Sequence, residues 1–130
     1  MNPEDFLEKL NSIRLLMSEE EYSDAMKVLD NLKNIEKNSG IDYSYDLVHQ
    51  LYQLDSNCKS ALHQQIILEQ LKKLSVKKKS LSFEELNQIL NKKSGLNIPE
   101  QILRREVELL ILRNLLNCEL KGDRLILSTT

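Results

Sequence analysis

The residues best equipped for chemistry in this chain are cations set where a phosphate backbone could be met. Arg104 and Arg105 are adjacent in an apolar-periodic segment, and Lys121 and Arg124 flank the pair Gly122-Asp123. Lys77-Lys78-Lys79 stands ahead of them. A guanidinium is a planar fork of donors that fits a guanine edge or a phosphate, whereas lysine supplies a point charge. These seven are the candidate nucleic-acid contacts, directed at double-stranded DNA. The lysine run also has a plainer use, since cations after a helix suit its negative end and a solvated loop.

Catalytic chemistry has no comparable support. A nucleophile needs a base and an orienting group, and the only imidazoles, His49 and His63, lie beside apolar residues in helical patterns. Acidic pairs such as Glu19-Glu20 and Glu84-Glu85 fall where helix first turns are expected, and the backbone dipole explains them. Gly40, Gly95 and Gly122 all mark element ends, so no glycine-rich loop cradles a phosphate. Cys58 and Cys118 belong to no Cys-x-x-Cys pair and have no ligand-like spacing to either histidine, and structural zinc needs four convergent ligands. The expectation is a non-enzyme with no metal, no cofactor and no small-molecule substrate.

Those cations sit in one half of the chain. Residues 1–70 hold 13 acidic and 6 basic side chains, net −7, whereas residues 71–130 hold 7 acidic and 12 basic, net +5. Opposite signs suggest different partners for the two halves. The chain is 41% hydrophobic and 29% charged, ordinary for a globular protein. No apolar run reaches membrane-span length, and Met1-Asn2-Pro3-Glu4-Asp5 starts acidic rather than as a secretory leader. This predicts an intracellular protein, cytoplasmic or nuclear, without a membrane, whose cysteines stay reduced.

The elements that must position these residues are mostly helices. Asn2 caps the first, with Pro3 in its first turn, and Phe6, Leu10, Ile13 and Met17 form its stripe. Ser18 and Glu21 suggest a capping box for a second helix carrying Tyr22, Met26, Leu29 and Leu32, stopped by Asn38-Ser39-Gly40. A third follows Asp42 or Ser44 with Leu47, Val48, Leu51 and Leu54. Asp55-Ser56-Asn57 reads as a break, and a fourth runs from 58 to 75 through Leu62, Ile66, Ile67, Leu71 and Leu74.

From Ser80 the pattern changes. Ser80-Leu81-Ser82 is a strand stub. Ser82 and Glu85 form a capping box for a helix bearing Phe83, Leu86, Ile89 and Leu90, closed by Lys92-Lys93-Ser94-Gly95. Asn97 is the expected cap of a long helix with Pro99 in its first turn, running to about Leu116 with Ile102, Leu103, Val107, Leu110 and Leu115 inward. A Gly122-Asp123 turn then pairs Lys121 with Arg124, Leu120 with Leu125 and Cys118 with Leu127. One face holds Cys118, Leu120, Leu125 and Leu127. Ser128-Thr129-Thr130 is expected to fray.

Helix, stub, helix, long helix and hairpin together have the order of a winged helix. The predicted fold is mainly α, with N-terminal helical hairpins followed by a C-terminal winged helix bearing a short β-hairpin wing. The boundaries are 1–57 and 58–130, packed as one unit. Leu81-Ser82-Phe83-Glu84-Glu85-Leu86 and Glu106-Val107-Glu108-Leu109-Leu110-Ile111 with its short wing resemble the C-terminal winged helix of PCI-domain subunits, over roughly the last seventy residues. Those are scaffolding subunits of large complexes, so the resemblance implies a non-catalytic assembly role.

Two functions follow. Leu109-Leu110-Ile111-Leu112 is apolar around the whole helix, and such a turn wants burial on two sides. Leu109 and Leu112 are therefore candidate protein-interface residues. Tyr43, Tyr45 and Tyr52 read equally as an interface cluster or as core rim. This is a protein-interaction subunit or regulator, contacting protein partners or a second copy through its helices. The other function is a winged-helix binder of double-stranded DNA, dimerised by its N-terminal helices. Glu100, Glu106 and Glu108 oppose it if exposed, and the scarcity of aromatics after residue 70 opposes single-strand recognition.

Overall fold

A computed structural model describes residues 2–38 and 43–127. Five helices and three strands are formed among them: α1 (Pro3–Ser18), α2 (Tyr22–Asn38), α3 (Tyr45–Leu74), β1 (Ser80–Ser82), α4 (Phe83–Ser94), α5 (Glu100–Leu112), β2 (Cys118–Lys121) and β3 (Arg124–Leu127). The chain divides into two compact units, residues 1–62 and 63–130.

The first unit is helical. Asn2 caps α1, its side chain accepting from the Asp5 amide at 2.8 Å, with Pro3 in the first turn. Phe6, Leu10 and Ile13 then face inward and meet Ala25, Leu29 and Leu32 of α2. Tyr43, Leu51 and Cys58 complete this core. Ser18 is not a cap for α2. It ends α1, its hydroxyl donating to the Leu15 carbonyl at 2.6 Å. Glu19-Glu20 therefore lies in the connection, where Glu20 takes φ 60°, rather than in a helix first turn. The stop expected at Ser39-Gly40 and the Asp42 cap lie outside the described residues. Ser44 acts as the cap of α3, accepting from the Leu47 amide at 3.3 Å.

The break expected at Asp55-Ser56-Asn57 is absent, and α3 is continuous over 30 residues. Aspartate interrupts a helix when its carboxylate bonds to local backbone. Here that carboxylate is engaged elsewhere: Lys33 Nζ lies 3.0 Å from Oδ1, as an ion pair rather than an aligned hydrogen bond, and Lys59 Nζ lies 3.0 Å from Oδ2.

In the second unit, Ile67 and Leu71 of α3 pack with Leu81, Phe83, Leu86, Leu90, Leu103, Val107, Leu110, Leu125 and Leu127. The capping box at α4 is formed, with Ser82 Oγ accepting from the Glu85 amide at 3.1 Å, and Gly95 closes the helix at φ 68°. The sheet is antiparallel with order β1-β3-β2. Its hairpin has the expected register, Cys118 opposite Leu127 and Lys121 opposite Arg124. Gly122 takes φ 60° at the first turn position, where a two-residue hairpin favours glycine. Cys118 and Leu120 lean on the same core as buried Leu125 and Leu127. The expected fraying at 128–130 lies outside the described residues.

Candidate interaction surface

Helix α5 positions the site. It begins at Glu100 after Pro99, and Asn97 supplies no cap, since no side chain caps this end. Leu103, Val107 and Leu110 recur at three- and four-residue spacing and are buried. Glu106 falls on the same arc and is also fully buried. A buried carboxylate is costly unless paired. Gln64 Nε2 donates to Glu106 Oε2 at 2.9 Å, Arg105 donates to Oε1 at 3.2 Å, and Arg113 donates to Gln64 Oε1 at 3.0 Å. This polar chain joins α3 to α5 and, with buried Leu103, Val107 and Leu110, sets which face of α5 is inward.

With that face inward, Leu109 and Leu112 face solvent, 37% and 77% exposed. They are three residues apart and therefore neighbours on one helix face, with Arg105 four residues before Leu109. The helix ends at Leu112, not near Leu116. Asn114 enters the left-handed region at φ 58°, and the Leu115 amide donates back to the Leu110 carbonyl at 3.0 Å. This αL closure with asparagine puts Leu115 beyond the helix and 49% exposed instead of in the core.

The cations divide into those engaged within the fold and those projecting from it. Arg104 pairs with Glu108 at 3.2 Å, donates to the Gly122 carbonyl at 3.0 Å and lies 5.2 Å over the Phe83 ring. The Phe83 amide donates to the Asp123 carbonyl at 3.0 Å, so the hairpin turn is tied to the start of α4. Arg124 donates to Ser80 Oγ at 3.2 Å and lies 3.9 Å from Glu85. Lys78 lies 3.5 Å from the same carboxylate. The Ser82 backbone amide, and then Lys78, hold Glu85 below the usual carboxylate range. Arg104 thus braces the turn, while Arg124 and Lys78 converge on Glu85 at the start of α4.

Arg105, Lys77, Lys79 and Lys121 are exposed. The last three have no ion-pair partner among the described residues. Lys79 and Lys121 belong to opposite ends of the sheet. Lys121 faces Arg124 at the turn end of β3, whereas the Lys79 carbonyl accepts from Leu127 at the other end, about 10 Å away at strand spacing. Of the acidic residues on α5, Glu106 is buried and Glu108 is paired.

The tyrosines also separate. Tyr43 is in the core of the first unit, its ring 4.5 Å from that of Phe6. Tyr45 is 83% exposed and stacks on His49 at 5.9 Å. Tyr52 is partly exposed, its hydroxyl donating to Glu36 at 3.2 Å. Cys58 and Cys118 form no disulfide with each other.

Sequence reasoning missed Gln64, Glu106 and Leu115. Glu106 was detectable, because a charged residue three after Leu103 and four before Leu110 must either be buried with partners or break the stripe. No protein-family model, curated protein or solved structure matches the chain. No helix among the described residues is long and apolar enough to cross a membrane.

Proposed function

We propose that this chain is a non-enzymatic interaction subunit, built on a winged helix, that binds a protein partner through the C-terminal half of α5. The observation that carries this reading is the exposure of Leu112, beside Leu109 and close in sequence to Leu115. Contiguous exposed apolar side chains mark contact surfaces more often than they mark free solvent faces. The winged-helix reading is supported by the order α3, β1, α4, α5, β2, β3 and by the position of β3 between β1 and β2. The resemblance to PCI-domain subunits agrees with an assembly role.

Double-stranded DNA is the second reading, favoured by the exposed Arg105 and Lys121. It is the weaker fit. Arg104 and Arg124, which would grip phosphate, are engaged by Glu108, Gly122, Glu85 and Ser80. Exposed leucines on the helix that would enter a groove gain little from phosphates or polar base edges.

The test is comparative affinity purification from the native cells with three forms of the tagged chain. Leu109→Glu with Leu112→Glu is expected to lose discrete protein partners that the unaltered chain and the Lys79→Ala, Lys121→Ala form both retain. Recovery of nucleic acid that depends on the two cations, with no protein dependent on the leucines, would overturn the reading.

A further inference from the structure

A second surface, distinct from the α5 leucines, combines apolar lining with net positive charge. At the ends of α3 and α4, Lys73, Leu74, Val76, Lys77, Ile89 and Lys93 line a groove of about 550 Å³. Gln70 Nε2 donates to Ser94 Oγ at 3.3 Å and ties the two helix ends that form its walls. Leu74 and Ile89 pack partly on the second core, whereas Val76 is 83% exposed. Among the described residues no carboxylate lines the groove. Lys73 has only a 3.7 Å contact with Glu69, both side chains being two-thirds exposed. Lys77 and Lys93 have no ion-pair partner among the described residues. The helix C-termini account for lysines here, but not for the exposed apolar lining between them.

The complementary surface is on the same chain. Residues 1–62 hold 12 acidic and 6 basic side chains, net −6, and residues 63–130 hold 8 acidic and 12 basic, net +4. On α1, Phe6, Leu10 and Ile13 are inward, which leaves Glu4, Leu7, Glu8 and Leu15 outward. Leu7 is 43% and Leu15 61% exposed. The flanking cation Arg14 keeps its charge but is held toward α3 by donating to Asn11 and Gln50, and Lys9 falls on the flank with Asp5, four residues away. The result is a helix face bearing two leucines and the carboxylates of Glu4 and Glu8, with Arg14 at its edge.

We propose that the lysine groove of one copy binds α1 of a second copy. Leucines would lie on Leu74, Val76 and Ile89, and the α1 carboxylates would face the three ammonium groups. A nucleic acid would leave the apolar lining unused and would find no aromatic to stack on. Because groove and helix are different surfaces, the contact is head-to-tail and grows unless the rotation closes it. It does not involve the α5 leucines.

Sedimentation equilibrium of the full chain from micromolar to millimolar tests this. The mass is expected to rise above 15.1 kDa with concentration and to fall back in high salt. Reversing Lys73, Lys77 and Lys93 to Glu should weaken association by roughly tenfold or more. Reversing Glu4 and Glu8 to Lys should do the same, and mixing the two reversed forms should restore it. All substitutions are exposed, so circular dichroism should match the unaltered chain. A monomer at every concentration, association indifferent to both reversals, or failure of the mixed forms to associate would overturn the proposal. So would binding of duplex DNA that needs these three lysines while self-association does not. Loss of partners on changing Leu109 and Leu112 is a separate readout, so the two proposals fail independently.

Discussion

Replacing Asp55 with alanine should destabilise the first unit by about 2 kcal/mol. Breaking a well-buried ion pair from one side costs about 3–5 kcal/mol, because the other charge is left without compensation. The Asp55 side chain is 10% exposed and that of Lys33 is 17% exposed. Lys33 would keep Asp30 at 3.5 Å, which lowers the cost. Lys59 is half exposed, so its share is under about 1 kcal/mol. In a unit of this size that shifts the melting temperature by roughly 10 °C.

The pH dependence has a defined sign. Burial pushes the Asp55 carboxyl up, but Lys33 and Lys59 outweigh it and hold the group below its ordinary 3.8. Its contribution is therefore present above the unfolded value and lost as pH falls through the lower folded one. The close contact with the Asp55 carboxylate, opposed by burial and reinforced by charge, raises Lys33 above 10.5. That contribution is complete below 10.5 and lost as pH rises through the folded value. Thermal unfolding by circular dichroism should show a gap between unaltered and Asp55→Ala chains that is flat from about pH 5 to 10 and closes at both extremes. A gap of only a degree or two, or one that widens in acid, would refute this account.

Other substitutions test other joints. Glu106→Ala strips the Gln64 amide of a buried acceptor and should cost about 2–3 kcal/mol in urea unfolding of the second unit; a neutral result would mean α5 is not held by this chain of bonds. Gly122→Ala meets no atom within 4 Å, so its cost should be the backbone alone, about 1 kcal/mol, read in the same assay. Burial, with the Asp55 charge, pushes the Cys58 thiol up. One thiol, Cys118, should therefore react with an aromatic disulfide reagent in the native chain, and the second only on unfolding.

The hairpin was the most legible part of the sequence, because alternation and a two-residue turn leave one register that buries Leu125 and Leu127 together. The Ser82 box and the Asn2 cap were legible for a similar local reason. Length was not. The apolar stripe runs on through Leu54, Cys58 and Leu62 at four-residue spacing, but Asp-Ser-Asn imitates a helix boundary, whereas Lys33, distant in sequence, engages the carboxylate that would cap one. Likewise Leu115 continued the α5 stripe on paper, but Asn114 turns the chain at the end of the helix. The tertiary partners of Arg104 and Arg124 had no sequence signal, so both read as free cations. Exposure of Leu109 and Leu112 was anticipated only as surplus apolarity; Gln64 and Glu106, with buried Leu103, Val107 and Leu110, determine which way that surplus points.

The most direct test of the α5 surface is a photoreactive amino acid placed at position 112 in the native cells, compared with the same group at Gln101. A protein contact predicts one discrete adduct from position 112, absent from position 101 and abolished by Leu109→Glu. No adduct at 112, equal labelling from both positions, or a nucleic-acid adduct would contradict it.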